Sequence, residues 1–169
     1  MTSIVLVGLP GSGKTKLGRI VAREMGLDFI DLDQKIEDAS GHTIPQLFQH
    51  GEAHFRDWEA RVLRESLEER DAVISTGGGI VEREENRDLL AGELVVFLDV
   101  AVEEATRRAQ RSSHRPLLAG GVEEKMRALA SRRTPWYNQV ATLVVKVDQR
   151  PAKENAKRVI EAVKQRIGE

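Results

Sequence analysis

The residues that most restrict this chain are Gly8-Leu9-Pro10-Gly11-Ser12-Gly13-Lys14-Thr15. They fit G-x-x-x-x-G-K-[ST], a pattern in which glycines let the backbone fold back until successive N–H groups point at one phosphate group. The pattern works between a strand and a helix, because the helix adds its positive N-terminal end. Both flanks are present. Ile4–Val7 is a short β-branched run, and Leu17, Ile20 and Val21 recur at i, i+3 and i+4 behind the loop. The expected roles are backbone contacts from Gly11, Ser12 and Gly13, a reach of Lys14 to the β- and γ-phosphates, and a Mg²⁺-ligating hydroxyl on Thr15.

Strand and helix signals go on alternating along the chain. Apolar runs rich in β-branched residues stand at Ile4–Val7, Ala72–Ser75, 94–98 and Leu143–Val147, with a weaker one at 29–30. Helical spacing fills the intervals and is clearest at Ala156, Val159, Ile160, Val163 and Ile167. Such alternation implies βαβ units around a parallel sheet covered on both faces, an α/β fold. At 169 residues there is room for one domain, 1–169, and no repeat or Pro/Gly/Ser-rich linker divides it. Two places interrupt the rhythm. Residues 112–121, SSHRPLLAGG, read as a mobile loop between helices. Thr134-Pro135 predicts a break, with Thr134 capping a new helix, Pro135 as its first residue, and Arg132 and Arg133 ending the helix before it.

Composition narrows the partners. With 26 Lys+Arg against 27 Asp+Glu, the net charge of −1 argues against nucleic acid or an anionic membrane as a partner. Cysteine is absent, which excludes disulfides, thiolate metal sites and a cysteine nucleophile. No apolar run nears the ~20 residues of a membrane span, and no basic, cleavable leader follows Met1, so a cytoplasmic protein is expected. The charge total hides an uneven distribution. Of 18 arginines, seven (107, 108, 111, 115, 127, 132 and 133) lie in 107–133, and with Lys125 against Glu123 and Glu124 that window stands at +6. Arginine grips phosphate or carboxylate in a planar fork, so the window is either an anion site or a solvated, salt-bridged surface.

A phosphate loop calls for a nucleoside triphosphate but leaves the reaction open. No guanine-reading N-K-x-D stretch follows a later strand, and an ATP-driven motor would need a longer chain. A small-molecule kinase fits, provided the chain offers an acceptor pocket and a lid that excludes water. Asp31 and Asp33 follow the second strand, at the end where α/β sheets bind ligands. One could hold metal-bound water and the other an acceptor hydroxyl; the plainer reading is an N-cap on the next helix, which could be true of one of them as well. Gly77-Gly78-Gly79 follows the third strand and suggests close backbone approach to a ligand, with a flexible turn as the alternative. In 51–59, GEAHFRDWE, Arg56 lies one turn from Glu52 and three residues from Glu59, and taken alone reads as an intrahelical ion-pair residue.

Taken together, GLPGSGKT, DLD at 31–33, G-E-x-x-F-R-x-x-E at 51–59, STGGG at 75–79, RPLL at 115–118 and R-x-P-x-Y at 133–137 resemble the shikimate kinases, in order. The resemblance spans residues 4 to about 151. It implies a single-domain, three-layer P-loop kinase fold of the nucleoside monophosphate kinase type, with a five-stranded parallel sheet flanked by helices and a mobile lid at about 111–121. It implies transfer of the γ-phosphoryl of ATP to the 3-hydroxyl of shikimate, giving shikimate 3-phosphate and ADP in chorismate and aromatic amino-acid biosynthesis. The acceptor region is then about 31–60, with Arg56 and Arg133 on the carboxylate, Asp33 on the ring hydroxyls and a Gly78 amide on the acceptor. Arg115 matches the lid arginine that closes on the phosphates, Asp31 a residue reaching Mg²⁺ through water, and Arg108 an arginine over the adenine. Arg150 belongs to the loop flanking the base. The catalytic set is Lys14, Asp33 and Arg115, in a monomer whose partners are shikimate and ATP/ADP.

The remaining expectations are plainer. Arg107, Arg111, Arg127 and Arg132 read as solvated surface. Lys16 departs from the hydroxyl residue common after the P-loop threonine and points to solvent or phosphate. Trp58 and Trp136 read as packing, and His42, His50, His54 and His114 show no ligand spacing. The rivals are a gluconate kinase of the same fold, which should lack the Arg56–Gly78–Arg133 set, and a nucleotide-binding module that only switches conformation.

Overall fold

The computed structural model describes residues 3–111 and 121–168. Its elements run β1 (Ile4–Val7), α1 (Lys14–Met25), β2 (Asp28–Asp31), α2 (Leu32–Ser40), α3 (Ile44–Gln49), α4 (Glu52–Leu67), β3 (Ala72–Ser75), α5 (Glu84–Leu90), β4 (Leu94–Val100), α6 (Val102–Arg111), α7 (Val122–Val140), β5 (Leu143–Val147) and α8 (Ala152–Ile167). The five strands form one parallel sheet in the order β2-β3-β1-β4-β5. Chain order reverses at β1, whose neighbours are β3 and β4, so the loop after β1 opens at the switch point where such sheets bind ligands.

Side-chain alternation divides the core in two. Val5 and Val7, Ile74, and Val95 and Phe97 face one layer with Leu32, Ile36, Leu63, Leu90, Met126 and Tyr137. Ile4 and Leu6, Val73, and Val96 and Leu98 face the other, with Leu17, Val21, Ala156, Val159 and Val163 of α1 and α8. Central strands buried on both faces explain why their runs read as continuously apolar. β5 lies at the edge, and Val144 there is 52% exposed. No helix among the described residues is long and apolar enough to cross a membrane.

Most element expectations hold. β1, β3 and β5 coincide with their runs, β4 extends two residues past 98, and β2 gains Asp28 and Asp31 at its ends. Asp31 to Ser75 and Leu6 to Ser75 are register pairs, so the acids, the glycine turn and the phosphate loop leave the sheet at one level. The expected break at Thr134-Pro135 is not found: α7 runs through Pro135 from Val122 to Val140. The proline removes one N–H, yet both halves are held from outside. Arg132 and Arg133 are bound by Glu82, and the Tyr137 hydroxyl donates to the Gly78 carbonyl at 2.5 Å. The expected lid begins at Arg111, the last residue of α6, and ends at Gly121, the N-cap of α7. Residues 112–120 between them, including Arg115 and His114, lie outside the described residues.

Candidate active site

The loop after β1 is closed around its own lysine. Lys14 is buried, and its Nζ donates to the carbonyls of Gly8 at 2.7 Å and Leu9 at 3.0 Å, and lies 3.3 Å from Ser12 Oγ. Gly11 has φ +80°, and a Cβ there would come within 2.6 Å of the Ala105 carbonyl oxygen, so neither its conformation nor its space admits another residue. Gly13 is the N-cap of α1, which sets the first N–H groups of that helix at the loop. The Thr15 hydroxyl lies 3.4 Å from the Ser75 hydroxyl at the end of β3.

The carboxyl end of β2 supplies two aspartates with different tasks. Asp31 caps α2, its Oδ1 accepting from the N–H groups of Asp33 at 3.1 Å and Gln34 at 3.4 Å. Asp31 is therefore the capping aspartate, and it caps through one of its two carboxylate oxygens. Asp33, one residue inside the helix, turns toward the glycine turn: a Cβ on Gly77 would lie 3.2 Å from its Oδ1 and 3.6 Å from Glu59 Oε2. A Cβ on Gly78 would meet Pro10 at 2.8 Å and Arg133 Nη1 at 3.2 Å, and one on Gly79 would collide with the Arg56 guanidinium. The three glycines thus form the floor on which Asp33, Arg56 and Arg133 gather, and close approach rather than flexibility explains their absence of side chains.

Both arginines are already paired. Arg56 Nη1 donates to Glu59 at 2.9 Å and Nη2 to Glu52 at 3.4 Å, while its Nε is buried without a hydrogen-bond partner among the described residues. The ion-pair reading of Arg56 is correct, and the pairing keeps the cation inside the pocket. Burial pushes the Glu59 carboxyl above its ordinary value, and Asp33 adds to this, against the pull of Arg56 and Arg133. Arg133 Nε donates to Glu82 Oε2 at 2.7 Å. Burial pushes the Glu82 carboxyl up, but hydrogen bonds from Arg133 and Arg132 outweigh it and hold the group below its ordinary value. Burial raises the Tyr137 phenol well above its usual range despite nearby Arg133, so it stays a donor to Gly78.

On the other side of the phosphate loop lies a cavity of ≈ 510 Å³ lined by Gly13, Lys16, Leu17, Arg108, Arg111, Arg150, Pro151 and Asn155, among others. Arg108 crosses its wall, donating to Glu104 at 3.1 Å, the Ser12 carbonyl at 3.1 Å and the Asp148 carbonyl at 2.7 Å. Arg150 Nε donates to Asp148 at 2.8 Å, and Asn155 Nδ2 donates to the Asp148 carbonyl at 3.0 Å, which pins the loop between β5 and α8. The phosphate loop therefore stands between a cluster of arginines and carboxylates at the glycine turn and a cavity of ≈ 510 Å³ on its other side.

The structure gathers Asp33, Arg56 and Arg133 at the glycine turn, as the sequence suggested, but also draws in residues to which the sequence had assigned no role. Glu59 was visible as an i+3 partner of Arg56 and as a motif letter, and Ser75 as the end of an apolar run and a motif letter, neither with a role of its own. Glu82 carried no signal, since it lies 50 and 51 residues from Arg132 and Arg133. Tyr137 was a motif letter until its hydroxyl met Gly78. Arg127 and Arg107 are surface ion-pair residues, as expected, and Trp58 and Trp136 pack against the core. Arg111 is exposed and also lines the cavity. Lys16 is exposed at the edge of the same cavity, as its solvent-facing reading expects.

The shikimate kinase family model matches residues 10–164 of this chain. A shikimate kinase of Marinomonas sp. is 43% identical over 98% of this chain and 93% of its own, and that of Rhodococcus erythropolis is 42% identical over 86% and 88%. Among solved structures, the shikimate kinase from Acinetobacter baumannii in complex with shikimate superposes with a TM-score of 0.92 at 36% identity, covering 98% of this chain and 94% of that one.

Proposed function

This chain belongs to the shikimate kinase family, and we infer from that membership that it transfers the γ-phosphoryl group of ATP to the 3-hydroxyl of shikimate, forming shikimate 3-phosphate and ADP. It thereby serves chorismate and aromatic amino-acid synthesis. The observation that carries the reading is the gathering of Asp33, Arg56 and Arg133 around Gly77-Gly78-Gly79, beside a lysine-bearing phosphate loop. Shikimate is a small carboxylate with vicinal hydroxyls, and two guanidiniums plus a carboxylate are the groups that recognise it.

In this reading Arg56 and Arg133 take the acceptor carboxylate, Asp33 orients the attacking hydroxyl, and the Gly78 amide helps seat the ring. Phosphoryl transfer passes through a loose transition state, so orientation by Asp33 matters more than proton removal. Lys14 exchanges its carbonyl partners for β- and γ-phosphate oxygens, and the N–H groups of Gly11, Ser12 and Gly13 wrap the same phosphates. Arg108, Arg150 and the loop they hold flank the base. Arg115 closes from the lid, about 111–121, and spreads further positive charge over the moving phosphoryl group. The oxygen-only set of Thr15, with Ser75 beside it, and Asp31 suits Mg²⁺, which would be held by Thr15 directly and by Asp31 through water and would neutralise the β- and γ-phosphate oxygens. The enzyme acts as one domain, 1–169, and as a monomer in the cytoplasm, without a nucleic-acid or membrane partner, in keeping with its net charge of −1.

The experiment is an acceptor panel. With ATP and Mg²⁺ present, shikimate should release ADP and gluconate should not. Turnover of gluconate in place of shikimate would overturn the acceptor assignment, and ATP binding without any acceptor-dependent ADP release would leave only a nucleotide-binding module.

A further inference from the structure

Arg133 does not stand alone in the acceptor pocket; it is held from behind. Glu82 accepts from Arg133 Nε through Oε2 at 2.7 Å, and through Oε1 from Arg132, at 2.9 Å from Nε and 2.8 Å from Nη2. The Glu82 and Arg133 side chains are each 11% exposed, whereas that of Arg132 is 65% exposed. The inner of the two bonds is therefore the one shielded from water. Binding Arg133 by its Nε edge leaves Nη1 on the side of Gly78, 3.2 Å from the place a Cβ would take.

Glu82 is itself carried by the glycine turn. Its backbone N–H donates to the Gly79 carbonyl at 3.0 Å. The next contacts fix that stretch further, with Asn86 Nδ2 on the Ile80 carbonyl at 3.0 Å and Arg87 Nη1 on the Val81 carbonyl at 2.6 Å. One backbone segment thus sets the glycine floor against Asp33 and Arg56 and, through a single carboxylate, aims Arg133 at it. Without that carboxylate two adjacent guanidiniums would repel each other, and Arg133 would keep, among the described residues, only its contact with the Tyr137 hydroxyl to hold it against the turn.

We propose that Glu82 is a positioning residue for the acceptor: it fixes the Arg133 guanidinium by its Nε edge so that the Nη side faces the incoming carboxylate. The proposal rests on the reading of Arg133 as a carboxylate partner of shikimate. It assigns Arg132 the part of a competitor for the same carboxylate, with no part in binding the substrate.

The test compares Glu82→Ala, Glu82→Gln and the double variant Glu82→Gln/Arg132→Ala in steady-state kinetics, with thermal melting of each. Loss of orientation at one binding group should raise the KM for shikimate about tenfold in Glu82→Ala while kcat and the KM for ATP stay within about threefold. A neutral amide has one acceptor oxygen for two guanidiniums. Glu82→Gln should therefore be impaired, and removing Arg132 from it should return the KM for shikimate toward the wild-type value. Wild-type KM for shikimate in Glu82→Ala, or no recovery in the double variant, would overturn the proposal. So would a parallel rise in both KM values with a lower melting temperature, which marks general loosening. A wild-type protein that releases no ADP with shikimate would instead overturn the acceptor reading itself, and this proposal with it.

Discussion

Arg56 Nη1 donates to Oε1 of Glu59 at 2.9 Å, three residues further along α4, and Glu59 is only 1% exposed. A buried carboxylate with one guanidinium partner, and with Asp33 close by, is held above its ordinary value of 4.5 because burial penalises its charged form more than Arg56 favours it. Between 4.5 and that raised value the native protein retains a proton that the unfolded chain has lost. Stability contributed by Glu59 is therefore present at low pH and falls as pH rises through the window. Glu59→Gln, neutral throughout, removes the dependence. Melting curves from pH 4 to 8 should show the wild type losing stability relative to Glu59→Gln and then levelling off; a wild type that gains on the variant as pH rises would contradict the assignment.

The glycine turn gives a sharper steric prediction. A methyl group on Gly79 would land inside van der Waals contact of Nη1, Nη2 and Cζ of Arg56, a guanidinium that Glu59 and Glu52 hold in place. Overpacking of this kind costs about 1–3 kcal/mol, which corresponds to about 5- to 150-fold in an equilibrium constant. Gly79→Ala should raise the KM for shikimate by about that factor and leave nucleotide binding intact. Gly92→Ala is the control, since a Cβ there meets nothing within 4 Å. Equal kinetics for the two variants would show that the turn does not approach the acceptor site.

Pocket and lid arginines should fail differently. A hydrogen bond to a charged group is worth about 1.5–3 kcal/mol, so Arg133→Ala should weaken shikimate binding by about 10- to 150-fold. In the proposed mechanism Arg115 acts on charge that develops during transfer, and loss of one such donor lowers kcat by about 10²–10³. Arg115→Ala should accordingly keep its affinity for shikimate. Binding titrations beside turnover numbers separate the cases, and reversed phenotypes would mean that the pocket and lid had been exchanged.

How much of this was legible beforehand depended on the range of the interaction. β1 and β3 coincide with their runs because burial on both faces keeps them almost wholly apolar, and β5, though an edge strand with Val144 and Lys146 exposed, still stood out by its valines. The P-loop was legible because backbone conformation and phosphate contact are written in eight adjacent residues. Arg56 was ambiguous, and rightly so, because the same guanidinium that faces the glycine floor is an ion-pair partner of Glu59. Glu82 was beyond reach: nothing local links it to Arg133, and only the packing of the turn on α7 brings them together. Pro135 misled for the reverse reason. A local helix-breaking signal was overridden by tertiary contacts on both sides of it.

That override makes Pro135 itself testable. Its missing N–H leaves the carbonyl of Ser131 without the usual helical donor, and helices bend at such points. Inside a helix alanine is intrinsically favoured over proline by about 3 kcal/mol. Part of that gain is forfeited here, because Trp136, stacked under Arg87 at 4.6 Å, and Tyr137, bonded to Gly78, are fitted to the helix as it stands. If about 1 kcal/mol survives, Pro135→Ala should melt about 2–4 °C higher. Arg133 lies two residues before the proline and Tyr137 two residues after it, so restoring the hydrogen bond to Ser131 shifts both against the glycine turn. The expected variant is thus more stable and poorer at holding shikimate, with a raised KM for the acceptor and an unchanged KM for ATP. A lower melting temperature would mean that the proline is required by the packing, and an unchanged KM for shikimate would mean that Arg133 is aimed by Glu82 alone.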